Sequence, residues 1–109
     1  MALVQIGPMA LKARLDDKTR PAPVLLDVRE TWEVEICSLP GALNIPMNSI
    51  PDRRAELDPD AETVVICHHG GRSQQVALFL ERNGFRNLMN LAGGVHGWAS
   101  EVDPDMPTY

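Results

Sequence analysis

One short segment of the chain holds the residues that are best suited to covalent chemistry: Cys67-His68-His69-Gly70-Gly71-Arg72-Ser73. A cysteine thiolate is a strong nucleophile. The adjacent Gly70 and Gly71 allow the backbone to curl, so that several N–H groups point to one place. Such a nest at the start of a helix binds anions and stabilises a thiolate. Arg72 adds a positive charge whose planar fork suits an oxyanion. The segment therefore predicts a reactive Cys67 in an anion-binding loop.

The charges around this segment favour the same interpretation. The net charge of the chain is -5, yet no Asp or Glu occurs between Glu62 and Glu81. His68 and His69 can add partial positive charge. Since side chains of adjacent loop residues point in different directions, we expect these two histidines to shape the loop electrostatically rather than to act together as bases. Three contiguous ligands that start at Cys67 do not match the usual spacing of metal sites, so no metal is expected.

Three reactions are open to a thiolate in an anion-binding loop. It can attack a sulfane sulfur, attack phosphorus, or take part in redox exchange. The second cysteine, Cys37, could resolve an oxidised Cys67 only if the two Cα atoms come within about 7 Å of each other. We expect Cys37 to serve packing instead. Two cysteines without a CxxC pair do not form a disulfide framework, so free thiols in a reducing compartment are expected.

The elements that must position the loop alternate between strands and helices. Apolar runs predict five strands, at residues 4–6, 24–28, 42–45, 63–66 and 88–91. This alternation is typical of an α/β domain with a mostly parallel sheet. The run before Cys67 is β-branched throughout and is the clearest strand of the chain. Because ligands of such sheets bind at the carboxyl ends of strands, Cys67 lies where a site is expected.

Helices are predicted between the strands, at residues 8–17, 31–36, 48–57, 73–83 and 95–100. Ser73 is a suitable N-cap for the helix that follows the loop, and Gly84 is a suitable C-cap. Apolar residues at Val76 and Leu80 give that helix a buried face. The last residues, 103–109, contain two prolines and are expected to form a tail on the surface.

Length, composition and charge exclude several classes of protein. A chain of 109 residues fits one domain, 1–109, and its composition, 44% hydrophobic and 23% charged, is typical of soluble globular proteins. The acidic balance argues against binding to nucleic acid and to anionic membrane surfaces. The N-terminus has no signal-peptide pattern, and no apolar stretch approaches the roughly 20 residues that span a bilayer. A cytoplasmic protein is therefore expected.

Four segments of the chain, in this order, resemble the signatures of the single-domain rhodaneses, a family of sulfurtransferases. They are Leu26-Asp27-Val28-Arg29-Glu30, Leu39-Pro40-Gly41-Ala42-Leu43-Asn44-Ile45-Pro46, the segment from Cys67 to Ser73, and Leu91-Ala92-Gly93-Gly94-Val95-His96-Gly97-Trp98. The resemblance covers nearly the whole chain. It implies a three-layer α/β fold in which helices flank a central, mostly parallel, five-stranded sheet. One departure is Ser38, at a position where many members carry His.

The resemblance also implies a reaction. Cys67 would attack the outer sulfur of a donor such as thiosulfate, sulfite would leave, and a persulfide would remain on Cys67. Cyanide, a thiol or a protein acceptor would then take the sulfur. The N–H groups of the loop would stabilise the persulfide anion, and Arg72 would hold the sulfonate end of the donor. No cofactor is implied, and a monomer or weak homodimer is expected.

Two other functions remain open at this stage. The chain could be a sulfur-relay or sensory module that accepts sulfur from one protein and delivers it to another without efficient thiosulfate turnover. It could also be a cysteine-based phosphatase or arsenate reductase. The phosphatase-like relatives of the rhodaneses have a loop of the form Cys-x5-Arg, whereas Cys67 and Arg72 give Cys-x4-Arg. The shorter loop favours sulfur chemistry.

Residues outside the loop receive supporting roles. Asp27 and Arg29 follow a predicted strand, and we expect them to orient the neighbouring loops rather than to contact the substrate. Trp32 and Trp98 are expected to pack in the core or at the rim of the site. His96 is expected to be structural.

Overall fold

A five-stranded parallel sheet forms the centre of the computed structural model, which describes residues 3–109. The strands are β1 (Val4–Ile6), β2 (Val24–Asp27), β3 (Leu43–Asn44), β4 (Thr63–Ile66) and β5 (Leu88–Leu91). Their order in the sheet is β1-β5-β4-β2-β3, and every neighbouring pair is parallel. Strand β4 is buried at all its positions, as expected for a central strand with helices on both faces. The predicted α/β class with a parallel five-stranded sheet is confirmed.

Helices connect the strands. They are α1 (Pro8–Asp16), α2 (Thr31–Ile36), α3 (Ile50–Arg53), α4 (Gly71–Arg82) and α5 (Gly94–Glu101). The single helix predicted at 48–57 is wrong. In its place, α3 lies between two short 3-10 segments, Met47–Ser49 and Arg54–Glu56. Pro51 has no backbone N–H to donate, so it fits only in the first turn of a helix and prevents a continuous helix through this region.

Two apolar clusters lie on opposite faces of the sheet. Because successive side chains of a strand point to opposite faces, Val64 and Ile66 of β4 belong to one cluster, with residues of α1 and α5. Val65 belongs to the other cluster, with Val76 and Leu80 of α4. The sheet is thus the middle of three layers, α1 and α5 lie on one side, and α3 and α4 lie on the other.

The helix after the loop begins earlier than predicted. Helix α4 starts at Gly71, and its N-cap is Gly70 in a left-handed conformation, φ +110°. Ser73 is therefore the third residue of the helix and not its N-cap. The two glycines permit the sharp curl that starts the helix directly after the loop. Gly84, with φ +91°, follows the C-cap Asn83, close to the predicted end.

The connectivity places the loop after β4 at the centre of one sheet edge. Strands β2 and β5 flank β4, so the segments that follow all three strands meet around Cys67. The segment 103–109 also returns to this edge, where Met106 is buried and Tyr109 packs on His68. Within residues 3–109, no helix has the length and apolar character needed to cross a membrane.

Candidate active site

The loop from Cys67 to Ser73 is held from outside by the start of α5. The Val95 N–H donates to the Cys67 carbonyl at 2.9 Å, and the His96 N–H donates to the His68 carbonyl at 3.0 Å. Gly94 makes this approach possible. A Cβ at this position would lie 2.4 Å from the Cys67 carbonyl oxygen, and its φ of +59° is one that other residues rarely adopt. The first turn of α5 therefore fixes the backbone that presents Cys67.

The Cys67 sulfur lies among hydrogen-bond donors. Cys67 is 1% exposed. The Gly70 N–H donates to its Sγ at 3.0 Å, and the Ser73 Oγ lies 3.3 Å from it. The sulfur also precedes the N-terminus of α4, a helix of 12 residues whose dipole favours negative charge. These donors and the helix N-terminus together make the surroundings of the Cys67 sulfur electropositive.

Ser73 connects Cys67 to a buried amide that sequence reasoning missed. The Ser73 Oγ also contacts Asn90 Oδ1, and Asn90 Nδ2 donates to Gln5 Oε1 at 2.8 Å. A hydroxyl has one proton, so Ser73 donates it to one of three acceptors: Asn90 Oδ1, the Gly70 carbonyl at 3.2 Å or the Cys67 sulfur. The hydroxyl can thus respond to the charge of the sulfur. The signal in the sequence was a single polar residue, Asn90, within the otherwise apolar strand β5.

Arg72 forms an ion pair with a residue that was not identified from the sequence. Its Nη1 and Nη2 donate to the two carboxylate oxygens of Glu33 at 2.7 and 2.8 Å. The Glu33 side chain is 5% exposed, whereas that of Arg72 is 36% exposed. The hydrogen bonds from Arg72 lower the pKa of Glu33 from 4.5 to about 2. Those same hydrogen bonds raise the pKa of Arg72. The guanidinium assigned to a donor anion thus already has a carboxylate partner.

Asp27 and Arg29 form a buried ion pair beside the loop. Arg29 is fully buried, and its Nη2 donates to Asp27 Oδ2 at 2.7 Å. The same Nη2 donates to the Cys37 carbonyl at 2.7 Å, which ties the end of α2 to the end of β2. Burial opposes the positive charge, but the hydrogen bonds to Asp27 and Tyr109 outweigh it and raise the pKa of Arg29. This arrangement supports a positioning role for both residues.

Tyr109 joins these groups, although the sequence analysis treated it as part of a surface tail. Its hydroxyl accepts from Arg29 Nη1 at 3.0 Å and donates to Glu33 Oε2 at 2.8 Å. Its ring stacks on that of His68, with centroids 4.0 Å apart and an interplanar angle of 11°. Trp32 meets the ring edge-on from an exposed position, whereas Trp98 lies in the core. The rim of the site thus includes the tail.

Three histidines lie together at the rim. His68 and His69 have ring centroids 4.0 Å apart, so the expectation that their side chains point in different directions is wrong. The loop curls rather than extends, which keeps adjacent side chains on one side. His96 joins them from α5, and imidazole nitrogens of all three lie within 4.8 Å of one another. Burial, and then the charge of His69, lower the pKa of His68.

Cys37 differs from Cys67 in its position. Both cysteines are free. Cys37 packs in the cluster on the α1 and α5 face, and Cys67 packs in the cluster on the α4 face. Membership of different clusters favours the packing role that was predicted for Cys37.

Comparison with known proteins identifies the family. A family model described as a rhodanese-like domain matches residues 8–101. The chain belongs to the rhodanese-like domain family. It is 37% identical over 95 residues to a protein named sulfurtransferase from Allochromatium vinosum, and this match covers 87% of each chain.

A longer relative and a solved structure extend this comparison. The rhodanese-like chain is 44% identical over 89 residues to Rhodanese-like/PpiC domain-containing protein 12, chloroplastic, from Arabidopsis thaliana. This match covers 78% of the chain but 30% of the plant protein, so the chain spans about a third of that relative. The crystal structure of SSP1007 from Staphylococcus saprophyticus is similar, with a TM-score of 0.83 and 36% identity, and the match covers 92% and 97% of the two chains.

Proposed function

We propose that this rhodanese-like chain transfers sulfane sulfur through a persulfide on Cys67. One observation carries the proposal: the Cys67 Sγ accepts the Gly70 N–H at 3.0 Å directly before the N-terminus of α4. A sulfur atom in that position is stabilised as an anion, both as the attacking thiolate and as the thiolate that leaves when the persulfide gives up its outer sulfur. The name of the Allochromatium relative supports the same class of reaction.

The first half of the reaction loads the enzyme. The Cys67 thiolate attacks the outer sulfur of thiosulfate, and a bond forms between these two sulfur atoms. The bond from the outer sulfur to the sulfonate sulfur breaks, and its electron pair leaves with sulfite. No proton transfer is needed, because sulfite is a good leaving group. This step therefore requires an activated nucleophile and anion-binding groups, and these are what the loop supplies.

The second half of the reaction returns the enzyme to its starting state. A thiol, cyanide or a thiol of a protein attacks the outer sulfur of the Cys67 persulfide. The S–S bond breaks, and its electron pair returns to Cys67 as the thiolate. Gly70 N–H and the Ser73 hydroxyl receive this charge at the distances they already have, 3.0 and 3.3 Å from Sγ.

The ion pair between Arg72 and Glu33 bears on the donor. A doubly charged thiosulfate that uses Arg72 must compete with a carboxylate held by two hydrogen bonds. A donor without a sulfonate, such as a protein persulfide, meets no such competition. This observation favours a second candidate, in which the chain relays sulfur between proteins and uses thiosulfate poorly.

Intact mass spectrometry separates these possibilities. Wild-type protein and Cys67→Ala are exposed to thiosulfate, or to a small organic persulfide, without reductant. A gain of one sulfur atom on the wild type, released by cyanide and absent from the variant, supports a Cys67 persulfide. Loading by thiosulfate identifies an ordinary thiosulfate sulfurtransferase, and loading by the organic persulfide alone identifies the relay. If neither donor adds sulfur to Cys67, the proposal is wrong.

A further inference from the structure

We propose that His68, His69 and His96 form a binding site for a borderline divalent metal ion, of which Zn²⁺ is the best fit. The claim concerns binding alone, and it does not depend on the sulfur chemistry of Cys67. No metal was expected from the sequence, because the contiguous residues Cys67, His68 and His69 do not match the usual spacing of metal ligands. The third ligand, His96, comes instead from α5, 27 positions after His69 in the chain.

The separation of the imidazole nitrogens suits a metal ion. Each histidine offers a nitrogen that lies within 4.8 Å of the corresponding nitrogens of the other two. Two nitrogens that share a tetrahedral Zn²⁺ at 2.0–2.1 Å lie roughly 3.4 Å apart. A contraction of at most about 1.4 Å closes the difference, and rotation about side-chain bonds supplies it. His69 and His96 are exposed, so neighbouring side chains do not prevent this rotation.

The backbone that carries the three ligands is already fixed. The His96 N–H donates to the His68 carbonyl at 3.0 Å, which joins the two ligand-bearing segments directly. Gly94 packs against the same carbonyl, because a Cβ there would lie 2.5 Å from it. A metal ion that binds here does not have to order a flexible loop, so little of its binding energy is lost to conformational entropy.

The orientation of His68 is fixed as well. The Tyr109 ring lies flat against its imidazole, with centroids 4.0 Å apart. Tyr109 is itself held by hydrogen bonds with Arg29 and Glu33. Packing of this kind restricts the rotamers of a ligand and prepares it for coordination.

The type of ligand selects the metal. Three imidazoles suit Zn²⁺, Cu²⁺, Ni²⁺ and Fe²⁺, whereas Mg²⁺ and Ca²⁺ prefer oxygen ligands. Zn²⁺ readily accepts three protein nitrogens and keeps a fourth coordination position open to water or a small anion. The site lies at the rim of the Cys67 loop, since two of its ligands are loop residues.

Titration with Co²⁺, a spectroscopic substitute for Zn²⁺, tests the proposal. The protein is used without a polyhistidine tag, in wild-type form and as Cys67→Ser, His96→Gln and Glu101→Gln. We expect one equivalent of Co²⁺ to give a visible d–d spectrum in the wild type, and Zn²⁺ to displace it. Cys67→Ser should give the same d–d spectrum as the wild type. The wild-type spectrum should contain no thiolate-to-metal charge-transfer band, because Cys67 is not a ligand. Glu101→Gln, an exposed change on the same helix, is the matched control and should bind like the wild type.

The His96→Gln variant decides the result. Loss of a residue that merely hydrogen-bonds to a metal ligand lowers metal affinity by about 10- to 100-fold. Loss of the ligand His96 itself should therefore weaken Co²⁺ binding at least about tenfold. His69→Gln provides a second variant, and circular dichroism shows that both variants are folded. Equal affinity in wild type and His96→Gln would overturn the proposal. So would a thiolate band that disappears in Cys67→Ser, or the absence of Co²⁺ binding to the wild type at micromolar concentrations.

Discussion

The two cysteines of this chain are both buried and both free, but they lie at opposite ends of helices. Cys67 precedes the N-terminus of α4, and its sulfur accepts the Gly70 N–H. Cys37 is the C-cap of α2, where the helix dipole presents its negative end. Its carbonyl accepts a hydrogen bond from Arg29, so this backbone is committed to structure. Burial alone therefore does not distinguish the two thiols, but the polarity of the adjoining helix end does.

Replacing each cysteine tests this contrast most strongly. Cys67→Ser should lower sulfur transfer by at least about a thousandfold, because the nucleophile is lost. Cys37→Ala should leave the rate within about twofold and cost about 1–2 kcal/mol in the free energy of unfolding, because packing and a weak hydrogen bond from Arg29 Nη1 are lost. Turnover assays and urea unfolding measure the two effects. If Cys37→Ala loses activity as completely as Cys67→Ser, both thiols take part and the contrast fails.

A pair of glycines near the two cysteines gives the next largest effect. Gly94→Ala should destabilise the protein by about 3 kcal/mol or more, since the new Cβ meets the Cys67 carbonyl oxygen at 2.4 Å and φ is +59°. Gly41→Ala is the control near Cys37. Its φ is +80°, but nothing lies within 4 Å of the new Cβ. We expect it to cost about 1 kcal/mol, for the backbone alone. If chemical denaturation shows that Gly94→Ala and Gly41→Ala lose the same free energy of unfolding, α5 does not hold the loop.

Glu33 links the two regions, because it lies on α2 near Cys37 and pairs with Arg72 of the Cys67 loop. Its pKa of about 2 lies below the ordinary value of 4.5, so the unfolded chain binds more protons between these values. The ion pair therefore stabilises the protein above pH 4.5, and this contribution is lost as pH falls from 4.5 towards 2.

The expected loss is about 2 kcal/mol, after allowance for the exposed side of Arg72. Urea unfolding between pH 2 and 6 measures it. Glu33→Gln should have a flatter pH dependence than wild type over this range. An unchanged slope would mean that other carboxylates account for the acid sensitivity.

The smallest effect concerns the choice of donor. Glu33→Gln removes the charge that competes for Arg72, so KM for thiosulfate should fall by about three- to tenfold, equivalent to about 1 kcal/mol. The rate with an uncharged organic persulfide should not change. Glu35→Gln makes the same change of charge on an exposed face of α2 and serves as the control. A rise in KM for Glu33→Gln would show instead that the carboxylate holds Arg72 in its productive position.

Local patterns in the sequence predicted much of this fold. Strands β4 and β5 were evident from the sequence, because short apolar runs bounded by turn residues are typical of buried strands. Two local predictions were wrong, the N-cap at Ser73 and the helix at 48–57. Gly70, three positions before Ser73, sets the start of α4, and Pro51, inside the segment 48–57, prevents a continuous helix there.

The candidate site was less accessible to sequence reasoning, because its partners are far apart in the chain. Glu33 and Arg72 are separated by 39 positions, and Glu33 and Tyr109 by 76. No short motif records such pairs. His96 is an instructive case. It belongs to the last of the four segments that resemble rhodanese signatures. Its neighbours in space, His68 and His69, follow β4, whereas His96 follows β5. Only the adjacency of β4 and β5 in the sheet brings them together.

The dependence of the loop on α5 has a consequence for biosynthesis. The backbone around Cys67 is completed by N–H groups of residues 95 and 96, which leave the ribosome almost thirty positions after the cysteine. Until β5 pairs with β4 and α5 forms, the Cys67 loop lacks these two hydrogen bonds at the end of an unfinished sheet. The nascent chain therefore completes the Cys67 loop late, only when nearly the whole domain can fold around it.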